Sequence, residues 1–164
     1  MHTKHVPHHC AVLRGRRVLV VEREALTAML ITGSVRDAGA EVIGPAFAVS
    51  EALELIECAE ADGGLSAAVL NIDFQGTVVS PITDRLAALG VPFVVAIGYN
   101  EGSDCEDPAA APVLVKPFSP DVLVAATELM AALSPAARAN TGPRANSAET
   151  VQSRGGRLLG RPIR

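Results

Sequence analysis

Short uninterrupted apolar runs alternate along the chain with longer stretches whose apolar residues recur every three to four positions. Val18-Leu19-Val20-Val21 is the first run, of the kind found in strands covered on both faces, and polar Glu22-Arg23-Glu24 closes it. Leu26, Met29, Leu30 and a later Val35 then recur at roughly helical spacing until Gly39, which predicts a helix stopped by glycine. Glu41-Val42-Ile43-Gly44-Pro45 predicts a second short strand ended by Gly-Pro. Ser50 is suited to cap a helix in which Ala52, Leu55, Ile56 and Ala59 face one side. Its residues Glu51, Glu54, Glu57 and Glu60 are mostly solvated, and Gly63-Gly64 ends it.

A third run, Ala68-Val69-Leu70, continues into Asn71-Ile72-Asp73-Phe74-Gln75-Gly76, where polar residues and a glycine stop it abruptly. Ser80-Pro81 supplies an N-cap and a proline at the first helical position, and Ile82, Leu86 and Leu89 line one face up to Gly90. Pro92 to Ile97 predicts a fourth strand. The following Gly98–Pro112 segment is rich in Gly, Pro and acids without a helical period, so an irregular connection is expected there. Val113-Leu114-Val115 predicts a fifth strand. Ser119-Pro120-Asp121 starts a last helix, carrying Val122, Ala126, Leu129, Met130 and Leu133 at i, i+4, i+7, i+8 and i+11.

Five strands alternating with helices predict an α/β fold, a doubly wound parallel sheet with right-handed crossovers, its fourth helix short or missing. Chemistry in such sheets sits at the carboxyl ends of the strands. Three features converge there: Glu22-Arg23-Glu24, Asn71 with Asp73, and Lys116-Pro117-Phe118.

Charge adds a second level of organisation. The net value of −4 for the 164 residues hides a segregation: between Val18 and Ser134 four basic residues stand against seventeen acidic ones, a net of −13. Both flanks are basic, with Lys4, Arg14, Arg16 and Arg17 before that core and six Arg against Glu149 after it. Residues 1–16 hold His2, His5, His8 and His9 beside Cys10 with no apolar period, as in a disordered arm. Residues 135–164 read as a flexible Arg-rich tail, which leaves 17–134 as one domain. Cys10, Cys58 and Cys105 are too widely spaced for a disulfide framework and are expected to be reduced thiols. No apolar run approaches the roughly 18 residues of a membrane span, and Met1 to His5 lacks the apolar segment of a signal peptide. A cytoplasmic protein without membrane contact is expected.

In order, Val-Leu-Val-Val-Glu-x-Glu, Pro92-Phe93-Val94 with Gly98-Tyr99, and Val113-Leu114-Val115-Lys116-Pro117-Phe118 resemble the receiver domain of two-component response regulators over roughly Arg17 to Leu133. The resemblance implies a flavodoxin-like sheet of order 2-1-3-4-5 and an aspartate that accepts a phosphoryl group from a histidine kinase. Such transfer needs a carboxylate nucleophile, a divalent metal on oxygen ligands, and cationic or hydroxyl donors on the phosphoryl oxygens. Carried over position by position, the nucleophile falls on Asn71, a register supported by the glycine five residues on, Gly76. The metal-binding pair falls on Glu22 and Arg23, the switch hydroxyl on Ile97 and the switch aromatic on Val113. Glu22 and Lys116 alone match the family pattern.

These departures imply a degenerate, or pseudo-, receiver: not an enzyme, with no cofactor and no metal, its acidic pocket reduced to Glu22, Arg23 and Asp73. Arg23 is expected to pair with Glu22 or Asp73 in place of an ion. Ile97 and Val113 imply one fixed conformation. The function implied is that of a stand-alone atypical receiver acting by protein–protein contact in bacterial signal transduction. Its partner would be a histidine kinase, a response regulator or an output protein, and a homodimer through the last strand and helix is a further expectation. One alternative is a phosphorylatable receiver using Asp73. Another, a nucleotide-binding or enzymatic flavodoxin-like domain, lacks a glycine-rich phosphate loop after the first strand. Metal binding by the His-rich arm and nucleic-acid binding by the tail are both disfavoured: the arm has no second ligand pair, and the tail's arginines are spread singly without aromatics.

Overall fold

The computed structural model describes residues 12–71, 80–98 and 111–135. The His-rich stretch up to residue 11, residues 72–79 with Asp73 and Gly76, residues 99–110 of the acidic segment, and the Arg-rich stretch from residue 136 lie outside them. The elements follow in the order β1 (Arg17–Val21), α1 (Ala25–Asp37), β2 (Glu41–Ala46), α2 (Val49–Ala61), β3 (Ala67–Asn71), α3 (Ser80–Ala88), β4 (Phe93–Ile97), β5 (Val113–Val115) and α4 (Pro120–Leu133). All five strands are parallel, in the order β2-β1-β3-β4-β5. This is the flavodoxin-like sheet expected. Among the described residues no helix is long and apolar enough to cross a membrane.

The uninterrupted apolar runs become the three central strands because only there are both faces covered. Val18 to Val21, Ala67 to Leu70 and Phe93 to Ile97 are buried throughout. On one face Leu19, Val21, Leu70, Val95 and Ile97 meet Ala52 and Ile56 of α2 and Ile82 and Leu86 of α3. On the other, Val18, Val20, Val69, Val94 and Leu114 meet Ile31 and Val35 of α1 and Leu123, Val124 and Ala131 of α4. The edge strands β2 and β5 are only partly buried.

Gly44-Pro45 does not end β2. The strand runs on to Ala46, since an edge position tolerates a proline without its N–H. Gly44 sits at φ +103°, where an added Cβ would lie 2.8 Å from the Val20 carbonyl oxygen, so only glycine fits. The register of β1 on β2 shifts between Leu19 and Val21. Ala46 thereby accepts a hydrogen bond from the Glu22 N–H at 3.0 Å, which fixes the first residue after β1.

Several boundaries and faces differ from those expected. α2 starts at Val49 with Ala48 as N-cap, so Ser50 lies inside the first turn; Glu51 instead reaches back to accept the Phe47 N–H at 2.8 Å. The folded body begins before residue 17: Leu13 is fully buried in the α1–α4 core and its N–H donates to Ala38 O at 3.0 Å. The largest difference concerns α1 and α4. In α1 the buried residues are Ala28, Ile31, Thr32 and Val35, while Leu26, Met29 and Leu30 face solvent. In α4 they are Leu123, Val124, Thr127 and Ala131, while Val122, Leu129 and Leu133 are exposed. Both helices carry two apolar stripes, and the smaller, partly β-branched one packs on the sheet.

Candidate functional site

The carboxyl ends of β1, β3 and β5 bring Glu22, Asn71 and Lys116 together. Glu22 follows β1 and its side chain is fully buried. Asn71 is the last residue of β3, held in register opposite Ala96 of β4. Lys116 follows β5, its N–H donating to Ile97 O at 2.8 Å, and the Lys116–Pro117 peptide is cis.

Their side chains close on one carboxylate. Glu22 Oε1 accepts the Asn71 Nδ2 amide and the Glu24 N–H, the latter at 2.9 Å. Glu22 Oε2 accepts Lys116 Nζ at 2.9 Å. A carboxylate can only accept, so Asn71 must turn its NH2 group toward Glu22. A buried carboxylate is tolerable when paired and hydrogen-bonded, and all three donors meet that condition. Lys116, with a side chain 24 % exposed, closes the cluster toward solvent.

Among the described residues Glu22 is paired with Lys116, and a pairing of Arg23 with Asp73 lies outside them. Lys116 reaches Glu22 across 94 residues of sequence, a pairing that the order of the motifs hinted at but that no local spacing encodes. Glu24 does not join the pocket. It is exposed and accepts the Thr27 hydroxyl at 2.8 Å at the start of α1. Asp73, the remaining member of the expected acidic pocket, lies outside the described residues. Ile97 is buried in the core under α2 and α3, whereas Val113 is 46 % exposed at the start of β5.

The donor set can be tested against the divalent cation that a phosphoryl-transfer site of this kind uses. Such a cation takes several oxygen ligands, carboxylates foremost. Glu22 has both oxygens engaged and a cationic ammonium at 2.9 Å, and a guanidinium occupies the neighbouring position in sequence. Among the described residues this donor set does not fit a divalent ion.

No protein-family model matches the chain. The transcriptional regulatory protein PdtaR of Mycobacterium tuberculosis (strains CDC 1551 / Oshkosh and ATCC 25618 / H37Rv) is 31 % identical over 118 residues, which are 70 % of this chain and 56 % of that protein. The chain thus spans little more than half the length of the curated relatives it matches. Among solved structures, SdrG from Sphingomonas melonis Fr1 is 33 % identical with a TM-score of 0.55, covering 73 % of this chain and 96 % of that one. The REC domain of the PhyR response regulator from Erythrobacter litoralis, at 20 % identity, shares the fold with a TM-score of 0.59, covering 74 % and 94 % of the two chains. The sheet order, the Glu22 and Lys116 positions at its carboxyl edge and these relatives agree: the chain belongs to the receiver-domain family of response regulators.

Proposed function

We propose that this receiver transmits its signal by binding another signalling protein and does not run an aspartate phosphorylation cycle. The observation that carries the proposal is the amide of Asn71 at the phosphoacceptor position, spent as a hydrogen-bond donor to buried Glu22. An amide is a poor nucleophile and forms no stable acyl phosphate. Lys116, the cation that would meet a phosphoryl oxygen, is already held by Glu22 at 2.9 Å. Binding a phosphoryl group there would require breaking that pair and exposing the Glu22 charge to an anion.

Signal transduction as the general role follows from the family. The partner is one of its usual correspondents, a histidine kinase, another response regulator or an output protein. Ile97 and Val113, both without a hydroxyl or an aromatic ring, support a single resting conformation in place of a phosphorylation switch.

Intact-mass measurement after incubation with acetyl phosphate and Mg²⁺ tests the proposal. No adduct of about 80 Da is expected, for an acyl phosphate would add one phosphoryl group. An adduct that disappears in Asp73→Asn identifies an active phospho-receiver and ends the proposal. Exchange on the microsecond-to-millisecond scale that collapses on adding beryllofluoride would contradict the single conformation.

A further inference from the structure

Helix α2 turns a uniformly acidic side to solvent. Glu51, Glu54, Glu57 and Glu60 recur at every third position along it and are all exposed, with Asp62 just beyond its last turn. No basic residue lies between Val49 and Ala61. The other helices differ: α1 sets Arg36 against Asp37, α3 sets Arg85 against Asp84, and α4 carries two acids, Asp121 and Glu128. Like charges one turn apart repel, and carboxylates in a last turn face the negative end of the helix dipole. Arg17 relieves only the end of α2, where it meets Asp62 at 3.4 Å and the carbonyls of Ala59 and Gly64. Glu51 is engaged by the Phe47 N–H. Glu54, Glu57 and Glu60 form no ion pair among the described residues.

The chain leaves the folded body beside this helix. Ser134, buried after α4, donates its hydroxyl to the Leu65 carbonyl at 3.5 Å, and Pro135 lies against Gly90, where an added Cβ would be 3.6 Å from its ring. Leu65 directly follows Gly63-Gly64, and a Cβ on Gly64 would be 3.3 Å from Glu60 Oε1. The exit of the chain and the last carboxylate of α2 therefore meet at one corner of the molecule. Beyond it, residues 136–164 carry Arg138, Arg144, Arg154, Arg157, Arg161 and Arg164 against Glu149 alone, a net of +5.

We propose that this Arg-rich stretch docks on the acidic side of α2 in the same molecule. Reach allows it: at about 3.3 Å per residue Arg138 lies within roughly 10 Å of Pro135 and Arg144 within roughly 30 Å, while a helix of this length is about 20 Å long. A single surface ion pair contributes little. A tethered segment, however, meets its site at an effective concentration on the order of millimolar, so several such pairs together suffice, and guanidinium groups pair carboxylates in two-pronged fashion. The tether also favours this segment over an external cationic protein, which would have to reach that concentration to compete. Docking makes the two surfaces mutually exclusive: an anionic partner that engages the arginines frees α2, and a cationic partner on α2 frees the arginines. The proposal uses neither Asn71 nor Lys116 and stands apart from the reading of the phosphoacceptor position.

Paramagnetic broadening in the full 164-residue chain is the test. Cys58 is exposed and stands one turn after Glu54, on the same side of α2, so with Cys10→Ser and Cys105→Ser a nitroxide on Cys58 senses whatever approaches that side. At about 0.01 M salt the amide signals of residues 136–164 should lose intensity, and they should recover at about 1 M NaCl, where the screening length falls from roughly 30 Å to roughly 3 Å. Glu54→Gln, Glu57→Gln and Glu60→Gln combined should abolish the loss with the circular dichroism spectrum unchanged, since Gln keeps the helix propensity of Glu. A nitroxide-bearing chain mixed with an isotope-enriched chain lacking the nitroxide should leave the enriched signals sharp. Signals untouched by the nitroxide at low salt overturn the proposal. So does a loss that persists in the triple variant, which puts the stretch on another acidic surface, or an equal loss in the mixture, which makes the occupant the stretch of a second copy.

Discussion

Lys116→Met removes the only cation that Glu22 contacts among the described residues and leaves a buried carboxylate with two neutral donors. At 2.9 Å and an effective dielectric of about 20, the attraction between the two charges is on the order of 6 kcal/mol before desolvation. Losing one partner of an enclosed pair costs roughly 3–5 kcal/mol. Here the loss should be nearer 2–4 kcal/mol, because the Lys116 side chain is 24 % exposed and its departure admits water. That is a large share of the roughly 5–15 kcal/mol stability of a domain this size, and at a urea m-value of about 2 kcal/mol/M it lowers the midpoint by about 1–2 M. Glu22→Gln with Lys116→Met should recover part of the loss, giving a double-mutant coupling of about 1–3 kcal/mol. A lysine merely solvated at a strand end would cost under about 0.5 kcal/mol when replaced. A midpoint change that small, or two single effects that simply add, would refute the central role given to this pair.

Asn71→Asp puts a second carboxylate against Glu22 and deletes the amide donor; the urea midpoint should fall by the equivalent of about 1–3 kcal/mol without a phosphoadduct appearing in the intact mass. Arg17→Met should cost about 1–2 kcal/mol and raise hydrogen exchange at the end of α2. Its Nη1 donates to the carbonyls of Ala59 at 3.2 Å, Gly64 at 3.0 Å and Asp62. Arg17→Lys should restore only a fraction, lacking the planar fork. Gly44→Ala should lower thermal stability by at least about 2 kcal/mol through the clash with the Val20 carbonyl and the positive φ. Gly33→Ala, with open space around the new Cβ inside α1, should raise it by about 0.5–1 kcal/mol.

The sheet was legible in the sequence because its three central strands are covered on both faces. Burial on both faces leaves no room for polar interruptions, and the runs Val18 to Val21 and Phe93 to Ile97 stand out. The end of β3 was legible for the complementary reason, an abrupt change of polarity at Asn71. Helix faces were harder. In α1 and α4 two stripes share the helical period, and periodicity finds a helix without saying which stripe meets the sheet. Leu26, Met29 and Leu30 dominate by size, yet Ala28, Ile31 and Val35 are the residues that let the helix approach the flat surface of β1 and β3. The Arg17 clamp was not legible at all. Nothing near Arg17 in sequence signals that three carbonyls some 42 to 47 residues later will converge on its guanidinium.

The pocket's chemistry and its architecture separate once each residue is asked what its loss would strand. On the proposed reading Glu22 and Lys116 are the two positions that match the family, and removing Lys116 leaves the buried Glu22 carboxylate without the cation it contacts among the described residues. On that reading Asn71 stands in for a charge as a neutral donor that Glu22 can use, and Ile97 stands in for a hydroxyl as core volume. Each change lowers the local density of negative charge or polar surface at a strand edge that otherwise calls for an ion. On the proposed reading the strand end at Asn71 is a closed polar knot joining β1, β3 and β5, which holds the carboxyl edge in one arrangement and leaves the helix faces to carry the signal.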